Sequence, residues 1–220
     1  MGKTKVYSIA TMKGGSGKST VTMLLAAAIA AEQKKKVLII DCDNQRTIGD
    51  WYESSDPTKT LVTVEEMQPR RVAPFLKRYA NDYDVIFIDV PRITDKDKDG
   101  ATVMLLYYCD GVLIPVIGSQ VDVMATIDFL RITHQMQADQ KKDGYKCIVH
   151  GFINRHNQRK DNTTASEILE KNGLKMFDSH LSDLKIFTSP DLEQSPLDTA
   201  EGRRRFEPFY LEFIQKYHLK

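Results

Sequence analysis

Five short apolar runs, with helical patterns between them, limit what this chain can fold into. They are VYSIAT from Val6, VLIID from Val37, VIFID from Val85, VLIPV from Val112 and the more polar CIVHGFIN from Cys147. Near-continuous Val, Ile and Leu suit strands buried on both faces, as in a parallel sheet. Val21, Leu24, Leu25, Ala28 and Ile29 repeat at three and four and form one helix face. Val123, Ile127 and Leu130 form another, with Asp122 as its candidate cap. DNTTASEILEKNG offers Asp161 and Asn162 as caps and Gly173 as a stop. Alternating strands and helices predict an α/β three-layer sandwich, a mostly parallel twisted sheet covered by helices on both faces. The length of 220 residues fits one domain, 1–220, with no internal repeat or linker. TDKDKDG, residues 94–100, is the most loop-like stretch.

The first strand leads into ATMKGGSGKST, residues 10–20, and the first helix follows it directly. Gly14, Gly15 and Gly17 let the backbone curl so that its N–H groups, with that of Ser16, point at an anion. The helix N-terminus at Lys18, Ser19 and Thr20 adds its positive end. Lys18 reaches β- and γ-phosphates, and the Ser19 hydroxyl suits magnesium. The usual phosphate loop has glycine where Met12 stands, and it has one lysine. Here Lys13 is a second lysine, ahead of the paired glycines.

This K-G-G-x-G-K-[ST] loop resembles the deviant phosphate loop of the ParA/MinD ATPases, and the resemblance extends over nearly the whole chain. It implies ATP and Mg2+ as cofactors and an ATP-dependent homodimer, in which Lys13 reaches across to the partner's phosphates as an arginine finger does. LIIDCDNQ, residues 38–45, resembles the family's D-x-D-P-Q switch, so Asp41 would help hold the magnesium shell and Asp43 would orient the attacking water. Asn44 departs from the family's proline. Trp51 resembles a tryptophan of the small plasmid-partition members, with core packing as its alternative. YDVIFIDVP resembles the Walker B strand, making Asp89 a magnesium carboxylate, with Arg92 where a second proline is common. GFINRHN resembles the strand-end motif near the adenine, so Asn154 is the candidate for base recognition, or a turn residue.

By this resemblance the chain is a slow switch ATPase that positions or segregates a DNA cargo such as a plasmid, stimulated by a ParB-like or transfer-protein adaptor. An accessory ATPase of conjugative DNA transfer is the alternative, and a metabolic synthetase or kinase of the same fold is the rival of another class. A redox relative bridging a cluster is disfavoured, because Cys42, Cys109 and Cys147 form no CxxC pair and read as buried apolar residues. Formal net charge is +1, so nonspecific DNA binding must come from a local patch. Arg203, Arg204 and Arg205 are the first candidate and Lys34, Lys35 and Lys36 the second. The arginines precede an aromatic stripe, Phe206, Phe209, Tyr210, Phe213, Ile214 and Tyr217, that predicts a docked amphipathic helix. No run has membrane-spanning length and no signal-peptide core is present, so a cytoplasmic protein without membrane attachment is expected, associated with the nucleoid when loaded with ATP. His150 and His156 show no metal spacing.

Overall fold

A computed structural model describes residues 4–93, 100–155, 161–182 and 191–219. Residues 94–99 of the charged loop and His156 lie outside them. The strands are β1 (Lys5–Ile9), β2 (Val37–Asp41), β3 (Thr63–Glu66), β4 (Val85–Asp89), β5 (Gly111–Val116), β6 (Ile148–Ile153) and β7 (Lys175–Met176). Between and after them run α1 (Lys18–Gln33), α2 (Thr47–Ser54), α3 (Pro69–Tyr79), α4 (Ala101–Tyr107), α5 (Gln120–Lys142), α6 (Asp161–Lys171) and α7 (Ala200–Lys216). The sheet order is β3-β2-β4-β1-β5-β6-β7, and every pairing is parallel. This is the expected three-layer α/β sandwich.

Each central strand divides its side chains between two cores, as a period of two requires. Tyr7, Ile9, Val37, Ile39, Val85, Phe87 and Phe152 pack towards α1 and α7. Val6, Leu38, Ile40, Ile86, Ile88, Val112 and Ile114 pack towards α3, α4, α5 and α6. The aromatic stripe of α7 is buried as predicted, with Phe206, Phe209 and Phe213 fully enclosed. Tyr217 donates its hydroxyl to the Val112 carbonyl at 2.9 Å, and its ring occupies the space that a Cβ on Gly111 would need. All three cysteines are buried. Among the described residues, no helix is long and apolar enough to cross a membrane.

Three details differ from the sequence reading. Helix α7 begins at Ala200, capped by the Thr199 hydroxyl on the Gly202 N–H, so Arg203, Arg204 and Arg205 lie inside its first turns rather than ahead of it. The cap of α5 is Ser119, whose hydroxyl accepts the Asp122 N–H, so Asp122 is released for another use. Trp51 is 38% exposed on α2 and is not a core residue.

One core group ties the fold to pH. His150 is buried against the edges of the Phe177 and Tyr217 rings. Burial, with Lys216 and Lys175 nearby and Glu212 opposing them, holds its imidazole down at about 4, against an ordinary 6.5. The unfolded chain therefore binds the extra proton first. Stability is complete above 6.5 and falls as pH drops towards 4. His150→Phe is expected to flatten that decline, measured by thermal unfolding across this pH window in parallel with the wild type.

Candidate functional site

The register of the central strands assembles the site at one end of the sheet. Asp89, the last residue of β4, lies opposite Asp41 at the end of β2 and Ile9 at the end of β1. Residues 11–17 leave β1 at that point and turn into α1. Gly15 and Gly17 take φ of 72° and 87°, the left-handed region that side chains resist. Gly17 has a second reason to lack a side chain, since a Cβ there would lie 2.5 Å from Nδ2 of Asn154. Gly14 needs no such freedom, because a Cβ would meet only Arg92, at 3.7 Å.

Lys18 is buried in the first turn of α1. Ser19 donates its hydroxyl to Oδ2 of Asp89 at 2.6 Å, a short, charge-assisted contact. Asp89 is fully enclosed, and its Oδ1 has no hydrogen-bond partner among the described residues. Burial pushes its carboxyl up to about 7, opposed by the Ser19 bond and Lys18 and reinforced by Asp41 and Asp43. An enclosed carboxylate with an open oxygen, beside a hydroxyl and a glycine cradle, fits a hydrated Mg2+ on a bound phosphate chain.

Asp41 and Asp43 divide differently from a simple pair of ligands. Both Asp41 oxygens accept backbone N–H groups: Oδ1 from Asp43 at 3.0 Å, Oδ2 from Ile48 and Gly49 at 3.2 and 3.1 Å. Burial raises its pKa and these bonds hold it down. Asp41 therefore anchors the start of α2 and the chain before it. Asp43 sits half-exposed on that chain, its Oδ1 accepting the Gln45 N–H at 3.0 Å. Arg46 fixes the far side, gripping Glu66 through two nitrogens at 2.6 and 2.7 Å and Glu53 at 2.6 Å.

Lys13 does not turn into its own cradle. Its Nζ lies 3.9 Å from Oδ1 of Asp122, a buried oxygen with no hydrogen bond among the described residues. The other oxygen, Oδ2, accepts the Ile117 N–H. Burial raises the Asp122 carboxyl, while Ile117 and Lys13 favour its charged form. Sequence reasoning assigned Asp122 only a capping role.

Two further residues brace the loop. Arg92 donates Nε–H to the Met12 carbonyl at 2.8 Å, so the residue that departs from the family's proline holds the loop's entrance. Asn154, 7% exposed, donates Nδ2–H to the Ser16 carbonyl at 2.6 Å and accepts the Arg155 N–H at 3.0 Å. These bonds place it beneath the loop as a clamp. Arg203, Arg204 and Arg205 stand apart on α7. Arg204 and Arg205 share Glu201, at 2.5 and 3.2 Å, and Arg203 donates to the Leu197 carbonyl at 2.7 Å.

The family model described as the CobQ/CobB/MinD/ParA nucleotide binding domain matches residues 7–197. A curated relative, Protein ParA of Rhizobium radiobacter, is 23% identical over 148 residues, covering 67% of this chain and 63% of the relative. The match thus spans less than two thirds of that relative's length. Among solved structures, an ATP complex of a Cyanothece McdA variant superposes with a TM-score of 0.78 at 17% identity, covering 100% of this chain and 98% of that one. A putative plasmid partition protein of Borrelia burgdorferi B31, bound to AMPPNP, gives 0.68 at 21% identity, covering 98% and 100%. At these identities the structures attest the fold.

The clamp makes a prediction that separates it from base recognition. Asn154→Ala leaves the buried Ser16 carbonyl without its donor, so the nucleotide-free protein is expected to lose about 1–3 kcal/mol of stability. Mg–ATP affinity should fall several-fold with it. Chemical denaturation and calorimetric titration measure the two effects. A base contact would instead alter the preference for ATP over GTP and spare the stability of the empty protein.

Proposed function

We propose that this chain, which belongs to the CobQ/CobB/MinD/ParA nucleotide-binding domain family, is a ParA-type ATPase that dimerises on ATP, hydrolyses it slowly and uses the cycle to position a DNA cargo such as a plasmid. The observation that carries this reading is the division of labour between the two loop lysines. Lys18 lies buried at the start of α1, where it serves its own phosphate site. Lys13 has a side chain 33% exposed whose Nζ lies 3.9 Å from Asp122, and it would serve another subunit's phosphates. A cation delivered in trans makes turnover conditional on assembly, which is what a switch needs.

The remaining groups take roles that their contacts support. The N–H groups of residues 14–19 would cradle the phosphate chain, and Lys18 would neutralise its β- and γ-oxygens. Ser19 and Asp89 would hold Mg2+, with Asp41 in its outer shell. Bound there, the metal supplies positive charge against the phosphate oxygens. Asp43, on a segment anchored by Asp41 and Arg46, would orient the water for in-line attack on the γ-phosphorus. A DNA track and a ParB-like or transfer-protein adaptor complete the reading. Glu201 partly neutralises the arginine patch, so a monomer would hold DNA weakly and a dimer, with two patches, more strongly.

Two substitutions test the reading. Lys13→Ala is expected to weaken dimerisation on a nonhydrolysable ATP analogue by about 1.5–3 kcal/mol per site while sparing nucleotide binding by the monomer. Sedimentation velocity measures this, and an unchanged monomer–dimer equilibrium would remove the trans role. Asp43→Ala is expected to lower kcat with little change in nucleotide affinity, and so to accumulate the ATP-loaded dimer. Asp89→Ala should weaken Mg–nucleotide binding as well. Wild-type hydrolysis by the Asp43 variant would move water positioning to another group.

A further inference from the structure

The strands are parallel, so the ends of the sheet are chemically distinct, and the phosphate loop occupies only one of them. At the opposite end, where β6 and β7 begin, a cavity of about 540 Å3 opens between α5 and the end of α7. Six lysine and histidine side chains border it: Lys146 ahead of β6, Lys175 on β7, His134 on α5, His150 on β6, and Lys216 and His218 at the end of α7. Among the described residues, no Asp or Glu lines it. For a chain with a formal net charge of +1, this is a one-sided concentration. Glu212 lies 3.8 Å from Lys216, but its oxygens also accept the Asp178 and Ser179 N–H groups and the Ser179 hydroxyl.

His150 supplies an independent observation. It is 5% exposed, and its Nδ1 is buried without a hydrogen-bond partner among the described residues. Its ring is wedged between Phe177 and Tyr217, and the Tyr217 hydroxyl is committed to the Val112 carbonyl. His150 lines the cationic cavity, and a buried polar atom without a partner calls for an explanation, which a ligand seated against this residue would supply.

We propose that this cavity is a second phosphate-binding site, separate from the nucleotide site, with Lys146, Lys175 and Lys216 supplying charge and His150 donating Nδ1–H to a phosphate oxygen. The ligand is a phosphate-bearing anion, and a free polyphosphate and a nucleic-acid backbone both present that group. The three lysines give long-range attraction and the imidazole fixes depth. A purely electrostatic surface would lack the second part. This inference stands apart from the ATPase reading, and neither depends on the other.

The test uses the full chain with its phosphate loop filled by stoichiometric Mg–AMPPNP, so that added phosphate cannot bind there. Sodium pyrophosphate and a short DNA duplex are titrated separately while the imidazole nitrogen–proton signals of His134, His150 and His218 are followed by NMR. Saturable shifts of His150 with either probe are expected. Pyrophosphate alone moving them assigns a free small anion, and the duplex moving them assigns the nucleic-acid backbone. Lys146→Glu combined with Lys175→Glu, two exposed positions, should weaken that binding by about tenfold or more and leave the thermal midpoint and AMPPNP affinity unchanged. The proposal fails if neither probe moves His150, or if the double variant binds as the wild type does.

Discussion

Two carboxylates opposed across neighbouring strands set the terms for everything around them. Asp41 and Asp89 share a register position at the ends of β2 and β4, and both are enclosed. Like charges in a dry setting cannot both ionise without support. The support is specific: three backbone N–H groups for Asp41, and one hydroxyl with a nearby ammonium for Asp89. The arrangement thereby dictates where α2 starts, where α1 starts and which side chain stands second in α1. It also leaves one oxygen of Asp89 without a hydrogen-bond partner among the described residues.

The same logic explains the two lysines. A second ammonium inside the cradle would compete with Lys18 for the same oxygens. At the loop's outer side, Lys13 meets Asp122, a carboxylate whose burial would otherwise disfavour its charge. The ion pair is long and the lysine side chain partly solvated, but Asp122 is buried, so withdrawing Lys13 leaves a carboxylate that must take up a proton or find another partner. The contact therefore ties the position of Lys13 to the charge state of Asp122.

Most of the fold was legible because its strongest signals are local. The apolar runs of β1, β2, β4, β5 and β6 are buried on both faces and so read as continuous stretches. Strands β3 and β7 did not, since TVEE and KM are short, lie at the sheet's two edges and carry polar residues outward. The phosphate loop was legible from residues 13–19 alone, because backbone curl and charge are encoded side by side. The clamp from Asn154 to Ser16 was not, because it joins positions 138 residues apart and depends on β6 ending beside the loop. Asp122 was misread for a related reason: Ser119 fills the cap, and only the tertiary structure brings Lys13 to the carboxylate. The three arginines lie inside the helix although the apolar stripe begins only at Phe206, because the Thr199 cap starts the helix about two turns earlier, on its polar residues.

Helix α7 has a consequence for how the chain is made. Its aromatic residues cover the sheet face formed by Tyr7, Phe87 and Phe152, with Phe213 stacked on Phe87 and edge-on to Tyr7. On the ribosome those strands emerge long before residues 206–217 do. The other face can be covered by α3, α4, α5 and α6 in passing, while this one waits, partly screened by α1 alone. Until α7 is released, the nascent chain carries an aromatic surface open to chaperones and to other nascent chains. Closing this face of the sheet therefore waits on residues 206–217, however early its strands have paired.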